Sequence, residues 1–410
     1  MGDRKKVPLL TKLLIAMVVG IMLGAIFGEK ITVIKPFGTV FLNLLKMAAL
    51  PLVIVNLIAG ISSLNDPKIF GRVGVKILVY YAVTTILAIV VGILTGYLFQ
   101  PGVGFTLQGE YKGAIEKIPS FGETIIGLLP SNIFAALTSG RFDQIIVFSA
   151  FVGIAILFLP EKEKLTLAHG FAILAELFNK MVGIIMLYAP IGICALMACT
   201  VGVYGKQLAG FLTKYLGASY LSVIVQICFY CLIVFFVTHR NPLHVLKKGL
   251  PTIVTGLSTS SSLACVPVNL DCADSLKVPR SISSFTIPLG SQVNKDGNGI
   301  MLWLTFIFAA QAIGSPLSFG ILLKVIFLSL ILTTGAGGVP GGGIVTIAII
   351  MDAFGLPLEI VGIIAGIFAL IDMAFTMLNC LGDLFGTYLV AWSEEKRALA
   401  CGQKVEVPLD

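Results

Sequence analysis

Long apolar stretches separated by short polar segments dominate this chain of 410 residues. Most of them reach or exceed the roughly 20 residues that a membrane-spanning helix needs. The first six cover residues 7–28, 36–62, 74–100, 124–159, 164–201 and 207–238. The pattern predicts a polytopic helical membrane protein, with 7–28 as its first span rather than a signal peptide, and several short helices within 124–159.

Beyond residue 248 the pattern changes, because two apolar stretches carry small residues at their centres. Residues 249–275 contain the Ser- and Thr-rich run 258–262, and residues 317–355 contain the Gly-rich run 333–343. Irregular backbone at membrane depth is tolerated only where protein buries it or where it lines a cavity. We therefore expect two re-entrant hairpins at matching places, an arrangement typical of inverted repeats in secondary transporters.

Between the two expected hairpins, the run Asn294-Lys295-Asp296-Gly297-Asn298 interrupts a further apolar stretch. A charge placed there costs about 2.5–3.5 kcal/mol on insertion scales, and such residues mark substrate or ion paths. Asn, Asp and Gly also disfavour helix interiors. The run predicts an unwound, solvated site in the middle of the membrane.

The last apolar stretch, 357–392, carries polar residues on one face. Asp372, Thr376, Asn379 and Asp383 have offsets of 0, 4, 7 and 11, which form one stripe on an α-helix. Phe375 borders the stripe. Two carboxylates with an amide and a hydroxyl on one face predict a site for a cation or an amine in the interior of a helix bundle.

Composition supports a membrane protein and excludes other classes. The chain is 57% hydrophobic and 12% charged, whereas soluble domains carry about 25% charged residues. The net charge of +7 is dispersed between the predicted spans, which suits cytoplasmic loops rather than a nucleic-acid partner. The basic residues place both termini in the cytoplasm of a multi-pass protein of the cell (inner or plasma) membrane. The eight Cys predict no metal site, and no catalytic motif indicates an enzyme.

Four motifs, in this order, carry a resemblance to a known family. They are SSSLACVP in the first expected hairpin, PLGSQVNKDGNG, TTGAGGVPGGG in the second, and DMAFTMLNCLGD in the last span. Tyr80-Tyr81-x-x-Thr84-Thr85 in the third span agrees as well. Over nearly its whole length the chain resembles the glutamate transporter family, the dicarboxylate/amino acid:cation symporters.

The resemblance implies an all-α homotrimer in lipid, with eight transmembrane helices, two re-entrant hairpins and elevator-type transport. A scaffold and trimerisation domain is expected at 1–73 and 124–206, and a moving transport domain at 74–100 and 207–392. An external loop is expected at 101–123 and a cytoplasmic tail at 393–410.

The resemblance also implies three cation sites and no resident cofactor; oxygen ligands suit a hard cation such as sodium. One site would use Gly290, Asn294, Asn379 and Asp383; a second Tyr81, Thr84, Thr85, Asn294 and Asp296; a third backbone carbonyls near Gln292, Thr333 and Ala336. For the small-molecule substrate, Ser262 and Asn379 would hold an α-carboxylate, and Asp372 and Thr376 an ammonium. Further substrate contacts are expected at Ser261, Asn298, Gly338, Val339 and Phe375.

Two departures from the family pattern bear on the substrate and on coupling. Phe375 stands where members with acidic substrates have an Arg, and the first hairpin offers Ser260 rather than a compensating Arg. We therefore expect a symporter of a small amino acid with a neutral side chain. Lys295 replaces the usual Met, and Asn298 the usual Thr. An ammonium repels a cation by on the order of 4 kcal/mol at 4 Å and an effective dielectric of 20. The coupling ion is then sodium, in reduced number, or a proton.

Alternatives remain open at this point. Lys295 could form an ion pair with Asp296, replace a cation, or bind a carboxylate of a dicarboxylate or acidic amino acid. Phe375 could form an apolar wall of the substrate pocket or pack against the seventh span. A passive ion channel with the same polar face is the second functional class.

Overall fold

The structure is a computed structural model, and it describes residues 9–62, 70–105, 126, 129–139, 141–315, 317, 319–335, 342–357 and 359–400. All regular secondary structure in these ranges is helical. The helices are α1 (Leu9–Phe27), a 3-10 helix (Gly28–Ile34), α2 (Lys35–Ser62), α3 (Phe70–Phe99), α4 (Ile133–Thr138), α5 (Phe142–Leu157), α6 (Glu161–Tyr204), α7 (Lys206–Thr238), α8 (Pro242–Lys248), α9 (Leu250–Thr259), α10 (Ser262–Ser275), α11 (Arg280–Val293), α12 (Asp296–Ala312), α13 (Phe319–Gly335), α14 (Gly342–Ala353) and α15 (Glu359–Ala400).

Several helices are long and apolar enough to cross a membrane. Among the described residues, five helical segments meet this condition: Thr11–Leu44, Arg72–Phe99, Glu161–Tyr204, Gly210–Thr238 and Glu359–Ala400. The expected seventh span is not among them because it is divided into α11 and α12, of 14 and 17 residues. The protein is therefore an all-helical membrane protein, and the number of eight spans stays a prediction.

The interruptions expected from the sequence appear as helix breaks. The stretch 124–159 contains the short helix α4 and the separate helix α5. In the first expected hairpin, α9 packs against α10, and Ser260 turns the chain between them in a left-handed conformation (φ 48°). In the second, the helices are α13 and α14, and the tip at 336–341 lies outside the described residues.

Helix α15 organises the half of the molecule that contains the polar residues. It is buried almost continuously from Ile360 to Ala391. It packs against α3, α7, α8, α9, α10, α11, α12 and α14, and also against α1 and α6. Its carboxyl end is tied to α3 by Glu394, which pairs with Arg72 and lies 2.7 Å from Lys76 Nζ. Helices α1, α2, α5 and α6 pack mainly with one another. The division of the chain into a scaffold and a moving transport domain stays a prediction.

Candidate substrate and cation site

The candidate site is built around the break between α11 and α12. The chain leaves helical geometry only at Asn294 and Lys295, because Asp296 already begins α12. The expected unwound run is thus confirmed at two of its five residues and is wrong for Asp296, Gly297 and Asn298, which form the first turn of α12. The expected solvation is wrong for this conformation, since the exposed fractions of Asn294, Lys295 and Asp296 are 0%, 2% and 0%. Side chains from α3, α7, α10 and α15 contact these residues and exclude water.

The Asp296 carboxylate is held by neutral donors from two helices. Thr85 of α3 donates to Oδ1 at 2.6 Å, and Tyr230 of α7 donates to Oδ2 at 2.6 Å. Gln226 Nε2 donates to Thr84 O at 3.0 Å and approaches Asp296 Oδ2 at 3.4 Å. Hydrogen bonds to an ionised acceptor are about twice as strong as neutral ones, so this set stabilises the carboxylate as an anion.

A second cluster joins the break to α15. Asn294 Nδ2 donates to the Asn379 carbonyl at 3.1 Å and to Asp383 Oδ1 at 2.9 Å. The side-chain oxygen of Asn379 accepts from the Gly297 amide at 2.8 Å. Four residues expected around the first cation site are thereby brought together. Gly290 is the fourth: a Cβ there would collide with Asp383 Oδ1 and with the Tyr81 hydroxyl, so only glycine fits.

Three buried oxygen atoms near the break have no hydrogen-bond partner among the described residues. They are the Asn294 Oδ1, the Gln226 Oε1 and the Tyr80 hydroxyl. Leaving a buried acceptor unpaired costs about 1–3 kcal/mol. Oxygen atoms beside carboxylates are the ligands that a hard monovalent cation prefers. The arrangement therefore suits cation binding between Asp296 and Asp383. Tyr81, which was expected at the second cation site, instead donates its hydroxyl to the Thr286 carbonyl at 3.0 Å.

Lys295 does not form the ion pair with Asp296 that the sequence left open. Its Nζ donates to the Ser291 carbonyl at 2.6 Å and to Ser262 Oγ at 3.2 Å. Within the described part of the chain, no carboxylate forms an ion pair with it. The physical reason is that Asp296 points to α3 and α7, whereas Lys295 points to the tip of the first hairpin. The basic group at Arg280 is unavailable to the site because it pairs with Asp274.

The tip of the first hairpin places a helix amino terminus beside this ammonium. Ser261 caps α10, and its hydroxyl accepts from the Ala264 amide at 3.4 Å. Ser262, the first residue of α10, is 5% exposed and carries the hydroxyl that contacts Lys295. The first amides of a helix lack backbone acceptors and favour anions. The first amides of α10, the Ser262 hydroxyl and the Lys295 ammonium thus lie close together, and this combination of donors suits a carboxylate.

The outer part of the α15 stripe is less tightly enclosed. Asp372 and Thr376 are 8% and 6% exposed, whereas Asn379 and Asp383 are 2% and 1% exposed. Phe375 is 1% exposed and packs on α12, where a Cβ on Gly297 would lie 2.5 Å from the Phe375 Cβ. This contact agrees with the packing interpretation of Phe375. Its role as a wall of the substrate pocket stays a prediction.

The remaining expected residues are only partly placed. Asn298 is 7% exposed in the first turn of α12, and Thr333 is 1% exposed near the end of α13. Gln292 lines a cavity of about 1030 Å³ that lies between α2, α6, α11 and α13 and extends to Leu263 beside the hairpin tip. Ala336, Gly338 and Val339 lie outside the described residues. Whether each expected residue binds an ion or the substrate stays a prediction.

Two residues at the site were missed from the sequence, Gln226 and Tyr230. A signal for them exists: buried polar residues recur along one face of the apolar helix α7 at positions 219, 222, 226 and 230. Their offsets of 0, 3, 7 and 11 form a stripe like that of α15. It was overlooked because it contains no charged residue, and single Ser, Gln and Tyr residues are common in membrane helices.

A broken helix, a helical hairpin formed by α9 and α10, and buried carboxylates with oxygen-rich surroundings are typical of secondary membrane transporters. The model of the sodium:dicarboxylate symporter family matches residues 9–393, so the chain belongs to that family. The resemblance stated from the motifs is thereby confirmed. The family consists of symporters, in accordance with the absence of enzyme motifs from the sequence.

Curated relatives cover nearly the whole chain. The proton/sodium-glutamate symport protein of Geobacillus stearothermophilus is 31% identical, over 96% of this chain and 97% of its own. The proton/glutamate-aspartate symporter of Escherichia coli K12 is 31% identical, over 98% and 97%. The C4-dicarboxylate transport protein of Bacillus subtilis 168 is 29% identical, over 95% and 94%. These names do not support the expected neutral amino acid; they support the alternative of an acidic amino acid or a dicarboxylate.

Proposed function

We propose that this protein is a cation-coupled symporter of small dicarboxylates or acidic amino acids, in which Lys295 binds a substrate carboxylate. The observation that carries the proposal is the buried Lys295 ammonium, which contacts Ser262 at the amino terminus of α10 without a carboxylate partner. An ammonium forms its strongest hydrogen bonds with a carboxylate, and no carboxylate of the described residues lies within ion-pair distance of Lys295, so a substrate carboxylate can take that place. The names of the relatives support the same substrate class.

The expectation of a neutral side chain rested on the absence of an Arg at Phe375. It also rested on Ser260 in place of an Arg in the first hairpin, and it left the direction of the Lys295 side chain undetermined. A single ammonium cannot form the bidentate pair that Arg forms with a carboxylate. The Ser262 hydroxyl and the first amides of α10 provide the additional hydrogen bonds.

Coupling in this proposal uses sodium or protons, which the relatives' names include. Cations bind among Asp296, Asn294 and Asp383, where unpaired oxygens and carboxylates meet. We further propose that the protein works as a trimer in the cell membrane, with both termini cytoplasmic, and that α3 and α7–α15 move as the transport domain.

The test is uptake into proteoliposomes that carry the purified protein and an imposed sodium or proton gradient. Radiolabelled succinate, aspartate and glutamate should accumulate above the external concentration, alanine and serine should not, and an ionophore that collapses the gradient should abolish accumulation. Accumulation of alanine or serine alone would refute the substrate class. Flux that only follows the substrate's own gradient would indicate a passive channel.

The Ser262→Ala variant examines the proposed carboxylate position. Loss of a hydroxyl that binds a charged group costs about 1.5–3 kcal/mol, so the substrate concentration for half-maximal uptake should rise about 10-fold or more. Ser258→Ala is the matched control, because Ser258 lies exposed on the same hairpin and, among the described residues, its hydroxyl bonds the Thr255 carbonyl alone. Equal effects of both changes would place the substrate elsewhere.

A further inference from the structure

The Lys295 ammonium lies at the carboxyl end of a broken helix as well as near the hairpin tip. It donates to the Ser291 carbonyl at 2.6 Å, two residues before α11 ends at Val293. Carbonyl groups in the last turn of a helix lack backbone donors and carry its negative end. In secondary transporters, the carboxyl ends of broken helices are where coupling cations are coordinated.

From this position we infer that the Lys295 ammonium replaces one coupling cation. Its acceptors are a backbone carbonyl and a hydroxyl, the oxygen types that ligate sodium. The inference rests on the proposed function and specifies its ion requirement. The protein transports one monovalent cation fewer with each substrate molecule than a variant with an uncharged residue at position 295 would.

The charges that face the ammonium agree with this role. The carboxylates of Asp383 and Asp372 attract it from beyond ion-pair distance. Asp296 lies on the other side of the break, bonded to α3 and α7. Lys295 is the basic residue of this buried group, whose other three members are acids. A variant without the ammonium has one positive charge fewer at this place, which one additional cation can supply.

A tethered charge differs from a bound ion in one respect that can be measured. It moves with the protein both when substrate is bound and when the empty protein returns, so it adds nothing to the net charge transported per substrate molecule. The ratio of cations to substrate is therefore lower in the wild type than in a variant that binds an ion in its place.

The experiment measures this ratio from reversal potentials in proteoliposomes. Substrate and sodium gradients are fixed, and the membrane potential at which net substrate flux is zero gives the number of sodium ions per substrate. Lys295→Met should raise that number by one, whereas Lys295→Arg, which keeps the charge, and Lys30→Met, at an exposed position, should leave it unchanged. The zero-flux potential does not depend on substrate affinity, so weaker substrate binding by Lys295→Met does not disturb the measurement.

Equal numbers in the wild type and Lys295→Met overturn the inference. A variant that binds but does not transport is examined in detergent, where the unfolding midpoint is measured against sodium concentration. The dependence on sodium should be steeper by one ion in Lys295→Met, and parallel curves also overturn the inference. Lys295→Gln replaces Lys295→Met if the latter elutes as an aggregate. Absence of dicarboxylate and acidic amino-acid uptake by the wild type would refute the proposed function alone, because the sodium titration needs no substrate.

Discussion

Two buried polar stripes, one on α7 and one on α15, meet at the break between α11 and α12. The α7 stripe consists of Ser219, Ser222, Gln226 and Tyr230, and the α15 stripe of Asp372, Thr376, Asn379 and Asp383. The two approach closely at Gly382, where a Cβ would lie 2.8 Å from both the Tyr230 hydroxyl and Asn294 Nδ2.

The stripes differ in charge and in what their side chains do. The α7 groups are neutral, and those nearest the break bind Asp296. Ser222 of α7 instead contacts Thr95 of α3, at 2.7 Å. The α15 stripe carries two carboxylates, and Asp383 adjoins the unpaired oxygen-bearing residue Asn294. From this difference we propose that α7 positions the broken helix, whereas α15 supplies charged groups to the proposed binding site.

The largest effect is expected from Asp383→Asn, which removes a charge from the binding stripe. The attraction between a carboxylate and a cation is about 4 kcal/mol at 4 Å and an effective dielectric of 20, so the sodium concentration for half-maximal uptake should rise about 100- to 1000-fold. Asn preserves the shape, and the protein should still fold. Asp352→Asn, exposed on α14, is the matched control. Unchanged sodium dependence would reduce Asp383 to a structural residue and remove the distinction between the stripes.

The class of all-helical membrane protein could be predicted from the sequence because large energetic costs leave clear patterns. Long apolar stretches predicted membrane-spanning helices, and the Ser- and Thr-rich run predicted the first hairpin, whose break lies at residues 260–261. The α15 stripe was recognisable because Asp372 and Asp383 are expensive inside a membrane.

The remaining details depend on side-chain directions, which spacing does not determine. Lys295 and Asp296 are neighbours in sequence, yet the break turns one toward α10 and the other toward α3 and α7. Sequence periodicity does not predict that these two side chains diverge. The sequence therefore allowed an ion pair between Lys295 and Asp296 and favoured a neutral substrate, and neither expectation is supported. Gln226 was missed because placing a neutral amide in a membrane helix costs little free energy. Its presence in an apolar helix is therefore not unusual enough to indicate a site.

A smaller effect is expected from Tyr230→Phe, which removes a donor from the positioning stripe without changing a charge. Asp296 keeps its bonds to Thr85 and Gln226, so the carboxylate loses one hydrogen bond of 2.6 Å rather than its site. Outer partners of ion ligands typically contribute 10- to 100-fold, so sodium affinity should fall about 10-fold, with maximal uptake largely retained. Tyr97→Phe, at an exposed position on α3, is the control. A loss as large as that of Asp383→Asn would show that α7 takes part in binding directly.

The smallest effect is expected from Ser222→Ala. It tests whether α7 residues that do not contact Asp296 contribute only to the stability of the protein. The change removes the contact with Thr95, whose hydroxyl still donates to the Val91 carbonyl at 2.9 Å. Since no buried donor is left without an acceptor, the free energy of unfolding should fall by about 1 kcal/mol or less. Thermal unfolding in detergent measures this change, and sodium-dependent uptake should match the wild type. If Ser222→Ala weakened sodium dependence as strongly as Tyr230→Phe while stability was unchanged, the expectation would be wrong. The neutral contact between α3 and α7 would then affect cation binding as well, through the position of Asp296.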